Sequence, residues 1–116
     1  MLFRSGEAQR LRLSCELAKR SNGKTLYLFD EPSIGLHSVD VEKLVPIFHS
    51  LVNKGNTVIL IEHHLDLIAQ CDYLLDIGPG AGTFGGKCIK SGTPEELATC
   101  KDSKTAPFLK TTLNQK

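Results

Sequence analysis

No apolar run in the 116-residue sequence approaches the roughly 18–20 residues that span a bilayer, and Met1-Leu2-Phe3-Arg4 is far too short for a signal peptide. A cytoplasmic chain with no membrane partner is expected. Neither sign of charge prevails: 14 Lys and Arg face 13 Asp and Glu, a formal charge of +1, so composition alone does not predict binding to nucleic acid through its phosphates. The four cysteines, Cys15, Cys71, Cys88 and Cys100, form no C-x-x-C pair, which excludes a structural zinc site of the usual spacing and a redox motif. Reduced thiols are the expectation. His63 and His64 stand beside Glu62, yet adjacent residues on a strand point to opposite faces and chelate one ion poorly, so no zinc is expected. Repeats and low-complexity tracts are also missing. What is present, 41% hydrophobic and 23% charged residues, is the balance of a soluble globular chain, one small domain or a piece of a larger one.

Periodicity then organises the chain. Residues 7–20 carry Ala8, Leu11, Cys15 and Ala18 at helical spacing, which predicts an amphipathic helix beginning at Ser5-Gly6. After the turn Ser21-Asn22-Gly23 comes Thr25-Leu26-Tyr27-Leu28-Phe29, a continuous apolar run that reads as a strand buried on both faces. Val41, Leu44, Val45, Phe48, Leu51 and Val52 mark a second helix with Gly55 past its end. Pro46 sits inside it and predicts a kink or a late start. Thr57-Val58-Ile59-Leu60-Ile61 is a second buried strand, followed by a short helix around residues 65–70. Residues 72–77 are a strand candidate, the glycine-rich stretch 78–86 a loop and residues 87–90 a short strand. Thr93-Pro94-Glu95-Glu96 supplies an N-cap, a proline at the first helical position and a capping-box Glu. The order α, β, α, β, α, β, β, α implies an α/β layer fold with a mostly parallel sheet. A polar, partly frayed tail covers roughly 101–116.

The strongest chemical signal is Leu26-Tyr27-Leu28-Phe29-Asp30-Glu31. A buried strand that delivers Asp30 at its carboxyl end places an oxygen ligand where P-loop NTPases hold Mg²⁺, and a second acid, Glu31, could polarise an attacking water as general base. The plainer alternative is a strand-terminating turn at Asp30-Glu31-Pro32. The second strand ends in Glu62-His63, which puts an imidazole beside the same crevice if the two strands are neighbours; its ring N–H could donate to a phosphate oxygen. A hydrogen-bonded loop histidine is the alternative there.

Ser5-Gly6-Glu7-Ala8-Gln9-Arg10, Leu28-Phe29-Asp30-Glu31-Pro32, Gly35-Leu36-His37 and Ile61-Glu62-His63, in that order, resemble the C-terminal lobe of the ABC-type ATPases, and more narrowly the C-terminal end of the UvrA family of the bacterial UvrABC excinuclease. Asp72-Tyr73, Gly78-Pro79, Gly85-Gly86, Gly92-Thr93-Pro94-Glu95-Glu96 and Phe108-Leu109-Lys110 fit the same pattern, so the similarity covers nearly the whole chain and suggests a native C-terminus. The resemblance implies an incomplete three-layer-like P-loop NTPase fold, with residues 1–116 running from the signature motif to the C-terminus. It implies that Ser5, Gly6 and Glu7 belong to the signature, that Asp30 helps hold Mg²⁺ through water, that Glu31 is the catalytic base, that Gly35 to His37 form the D-loop and that His63 is the switch histidine. A signature helix N-terminus attracts the terminal phosphate of ATP carried by a facing domain.

The chain departs from that pattern in two ways. Phe3-Arg4-Ser5-Gly6-Glu7 stands where the family has Leu-Ser-Gly-Gly-Glu, so Arg4 replaces the phosphate-facing Ser and Ser5 the first Gly. No G-x-x-x-x-G-K-[ST] occurs; Ile77-Gly78-Pro79-Gly80-Ala81-Gly82 has no Lys at the required spacing. The implied function is thus the C-terminal part of a UvrA-like ATPase of nucleotide excision repair, without its Walker A loop and inactive alone. ATP and Mg²⁺ would bind only in a composite site completed by a Walker A-bearing lobe or a second nucleotide-binding domain, and DNA and a UvrB-like partner would engage only through the parent protein. The alternatives are a non-catalytic module that docks on a complete UvrA-like domain, and a degenerate fragment.

Overall fold

The computed structural model describes residues 12, 13, 15, 23–78 and 85–115. They fall into two compact units, residues 1–64 and 65–116.

In the first unit, β1 (Leu26–Asp30) and β2 (Thr57–Ile61) pair in parallel, with Leu26 opposite Thr57, Leu28 opposite Ile59 and Asp30 opposite Ile61. Parallel neighbours need a long crossover, and α1 (Ser38–Asn53) supplies it. Its apolar stripe of Val41, Leu44, Val45, Phe48 and Leu51 is buried, each such side chain contributing about 1.5–3 kcal/mol. The helix lies on the Tyr27–Phe29 face of the sheet: the Phe29 and Phe48 rings are 5.1 Å apart and tilted by 53°, and Tyr27 stacks on Phe29 at 6.2 Å. Pro46 does not end α1, which runs unbroken from Ser38 to Asn53. The proline is on the exposed side, where water can take the carbonyl that its missing N–H leaves unbonded.

The expectation that both strands are covered on both faces is corrected. Residues of β1 and β2 alternate between half-buried and exposed, and Leu26 and Leu28 (each 63% exposed), Ile59 (47%) and Ile61 (51%) lie on the uncovered side. An apolar run specifies two apolar faces, but the exposure of Leu26, Leu28, Ile59 and Ile61 shows that one of them is uncovered, while α1 packs on the other. The opposite end of the pair is closed by a close backbone approach. Gly23 and Gly55 both have positive φ, and a Cβ at Gly55 would sit 3.1 Å from the Gly23 Cα. Buried Asn56 accepts from the Thr25 N–H at 3.2 Å and donates to the Leu51 carbonyl at 3.0 Å, fastening the end of α1 to the start of β1.

Of the expected helix over residues 7–20, Arg12, Leu13 and Cys15 are described, and all three are helical. Leu13 is buried while Cys15, assigned to the apolar stripe, is exposed; a leucine gains more from burial than a thiol does, and it sets the inward face.

The second unit contains α2 (Leu65–Ile68), β3 (Leu74–Gly78), β4 (Lys87–Gly92), α3 (Pro94–Ala98) and α4 (Ala106–Asn114). β3 and β4 are antiparallel, with a bulge between Asp76 and Ile77, which corrects the expectation of a mostly parallel sheet. The connection over residues 79–86 is shorter than the dozen or so residues a parallel crossover requires. The N-cap of α3 is as expected, the Thr93 hydroxyl accepting from the Glu96 N–H at 3.2 Å. The segment beyond Lys101 differs from a frayed tail. Ala106, Leu109 and Thr112 form a buried stripe on α4, and the Ser103 hydroxyl donates to Asp76 of β3 while accepting from the Ala106 N–H at 3.0 Å. That hydroxyl begins a helix and ties it to the strand.

Candidate functional site

The parallel register brings the carboxyl ends of β1 and β2 to one edge. Asp30, the last residue of β1, is exposed and sits opposite Ile61. The next residue, Glu31, has φ 50°, the only positive φ of a non-glycine residue among those described. Its N–H donates to the Ile61 carbonyl at 2.8 Å, extending the pairing by one residue, and its own carbonyl accepts from the Ile34 N–H at 3.1 Å, opening a turn. The unusual backbone thus has two local bonds that hold it.

The turn continues through Ser33, whose carbonyl accepts from the Leu36 N–H at 3.1 Å, and Gly35 at φ 76°. His37 follows as the N-cap of α1. Its carbonyl accepts from Asp40 and Val41, while its side chain makes no capping bond and is exposed. The expected D-loop residues Gly35 and His37 therefore sit exposed on the turn that joins β1 to α1.

His63 lies on the same edge. Its Nδ1 is 3.5 Å from Glu31 Oε1, and both side chains are open to solvent, 79% and 41% exposed respectively. The structure therefore places Asp30, Glu31 and His63 at the carboxyl ends of the paired strands, with a side-chain contact between Glu31 and His63. Ser5, Gly6 and Glu7 lie outside the described residues. No group of three or more His, Cys, Asp or Glu able to hold a metal occurs among the described residues, and none of their helices is long and apolar enough to cross a membrane.

Glu62, which the sequence presents only as the neighbour of His63, has a role of its own. Its Oε1 accepts from the Ser33 hydroxyl at 2.7 Å, the His63 N–H at 3.1 Å and the His64 N–H at 3.2 Å, and its Oε2 accepts from the Ser33 N–H at 3.2 Å. One carboxylate joins the loop after β1 to the loop after β2. The available signal was an acid directly after the second apolar run, at the place that Glu31 approaches from the first.

No family model matches the chain. It is 56% identical over 108 residues to the UvrABC system protein A of Mycoplasmopsis pulmonis, covering 93% of this chain and 11% of that protein. The corresponding protein of Borreliella burgdorferi is 54% identical over the same shares, and that of Pasteurella multocida 50% identical over 96% of this chain and 12% of the relative. The chain thus spans 11–12% of the length of these curated relatives. Among solved structures, the crystal structure of UvrA2 from Deinococcus radiodurans matches with a TM-score of 0.87 and 49% identity, over 93% of this chain and 13% of that one.

Proposed function

Since the chain belongs to the UvrA family as a segment of it, we propose that it supplies the signature-to-C-terminus lobe of an ABC-type nucleotide-binding domain within an ATPase that recognises DNA damage in nucleotide excision repair. The observation that carries this reading is the parallel register of β1 and β2, with His63 Nδ1 3.5 Å from Glu31 Oε1 at its carboxyl edge. Ligands of open α/β sheets gather at that edge.

In this reading ATP and Mg²⁺ occupy a composite site that a Walker A-bearing lobe completes. Asp30, an exposed strand-end carboxylate, is the residue that would hold such an ion, its oxygen suiting a hard cation. When bound, Mg²⁺ would neutralise charge on the transferred phosphoryl group. Glu31 accepts the proton of the attacking water. The His63 imidazole, beside Glu31, donates its ring N–H to a phosphate oxygen and keeps the base and the phosphate in one geometry. Gly35, His37 and the signature residues Ser5, Gly6 and Glu7 belong to the surface that meets the facing domain. DNA and a UvrB-like partner are reached through the rest of the parent protein.

The full chain alone should hydrolyse no ATP above background, because Glu31 has no phosphate held in line. Mixed with the Walker A-bearing portion of a UvrA relative, it should regain turnover. In that complex Asp30→Ala should weaken Mg²⁺–nucleotide binding, whereas Glu31→Gln should preserve binding and lower kcat on the order of a hundredfold or more. Parental turnover in both variants would show that the roles are misassigned.

A further inference from the structure

We propose that Glu62 is a positioning residue: its carboxylate locks the Ser33 turn and the His63–His64 backbone into one piece, and so holds the His63 imidazole against Glu31. The two loops leave different strands, 29 residues apart in sequence at the Ser33–Glu62 bond. Among the described residues, the direct side-chain bridge between them beyond the strand ends is this carboxylate and the looser His63–Glu31 contact at 3.5 Å.

The division of bonds gives the carboxylate its function. Ser33 is buried, 8% exposed, so its N–H and hydroxyl are costly to leave unpaired, and both donate to Glu62. The His63 and His64 N–H groups converge on Oε1, which fixes the backbone from which the His63 ring projects. That ring is mostly in solvent, so what Glu62 fixes is the backbone position from which the ring's rotamers reach Glu31, and the Glu31 contact selects among them. The Ser33 turn is also the segment that carries Gly35 and His37 into α1. A displacement of His63 is therefore felt in that turn through Glu62. A neutral amide in place of the carboxylate leaves one acceptor oxygen and turns an NH₂ toward a donor, so Glu62→Gln should retain part of the lock and Glu62→Ala none.

The geometric part of this proposal stands by itself, while its effect on turnover rests on the roles of Glu31 and His63 given above. Two measurements keep them apart. The first is amide hydrogen exchange at Ser33, His63 and His64 in the full chain, alone and mixed with the Walker A-bearing portion of a UvrA relative. Glu62→Ala should accelerate exchange at all three by on the order of tenfold, Glu62→Gln by less, Ser33→Ala at Ser33 and the histidines together, and Ser33→Thr hardly at all. Unchanged exchange at His63 and His64 in Glu62→Ala would overturn the lock.

The second is a double-mutant cycle on turnover of the mixed complex. Glu62→Gln should lower kcat on the order of tenfold with little change in the KM for ATP, and should cause no further loss in a His63→Ala background. Additive losses would show that Glu62 acts elsewhere and would overturn the positioning role. If His63→Ala itself left turnover untouched, the assignment of His63 would fail, and the exchange data would still decide whether the lock exists.

Discussion

At Glu31 the backbone takes a conformation that costs an L-residue about 1–2 kcal/mol, and it does so at φ 50° directly beside Asp30. Its bonds to Ile61 and Ile34 explain how the turn persists, and the proposed role as base explains why a glutamate occupies a place better suited to glycine. Glu31→Gly should therefore hold or raise the urea midpoint of unfolding, by at most about 1 kcal/mol after the added chain entropy of glycine. Glu31→Val should lower it by more than about 1 kcal/mol, because a β-branched side chain tolerates this region worst. Equal midpoints for the two variants would mean that the turn stores no strain. The placement of Asp30, Glu31 and His63 at the strand ends was legible because they follow the two apolar runs within two residues. The bond of Glu62 to Ser33 was not, since nothing local in the sequence reports which distant hydroxyl an acid will meet.

Among the elements, β1, α1 and β2 follow from periodicity, and so does the Thr93 cap, because these signals are written within one or two turns of chain. The departures share a cause in long-range cover. Leu26 and Leu28 read as buried although only one side of their strand is packed; β3 and β4 read as members of a parallel sheet although the link between them is too short for it; and residues 106–114 read as a polar tail although Leu109 and Ala106 are buried in α4. Pro46 offers a direct test at this scale. It interrupts the hydrogen-bond ladder of α1 from an exposed position, so Pro46→Ala adds a helix bond without disturbing the stripe of Val41, Leu44, Val45, Phe48 and Leu51. Thermal unfolding should move upward, by the equivalent of about 1–3 kcal/mol. A lower midpoint would mean that the proline ring itself packs or that its fixed φ shapes the helix.

For the whole chain the governing feature is apolar surface left open on both units. In the first unit Leu26, Leu28, Ile59 and Ile61 share one uncovered sheet face, and in the second Tyr73 (62%), Leu75 (65%) and Ile77 (56%) are exposed on and beside β3. No charged residue interrupts Leu26 to Phe29 or Val58 to Ile61, and Asp30 at the end of β1 is the one charge the two strands offer against another chain. At micromolar concentration the isolated chain should bind a hydrophobic dye and self-associate, read by light scattering or sedimentation. Leu28 and Ile59 are register partners on the open face, which makes them the pair to change. Leu28→Thr with Ile59→Thr keeps strand-compatible side chains while removing apolar area, and should reduce both dye binding and association without abolishing cooperative unfolding. In the proposed reading that face belongs beneath the rest of a nucleotide-binding domain, so a Walker A-bearing portion of a UvrA relative should suppress dye binding by the parent chain to the level of the double variant. A parent chain that is already a compact monomer, binds no dye and unfolds cooperatively would show that these residues need no cover, and would turn the argument from a lobe of an ATPase toward an independent, non-catalytic docking module.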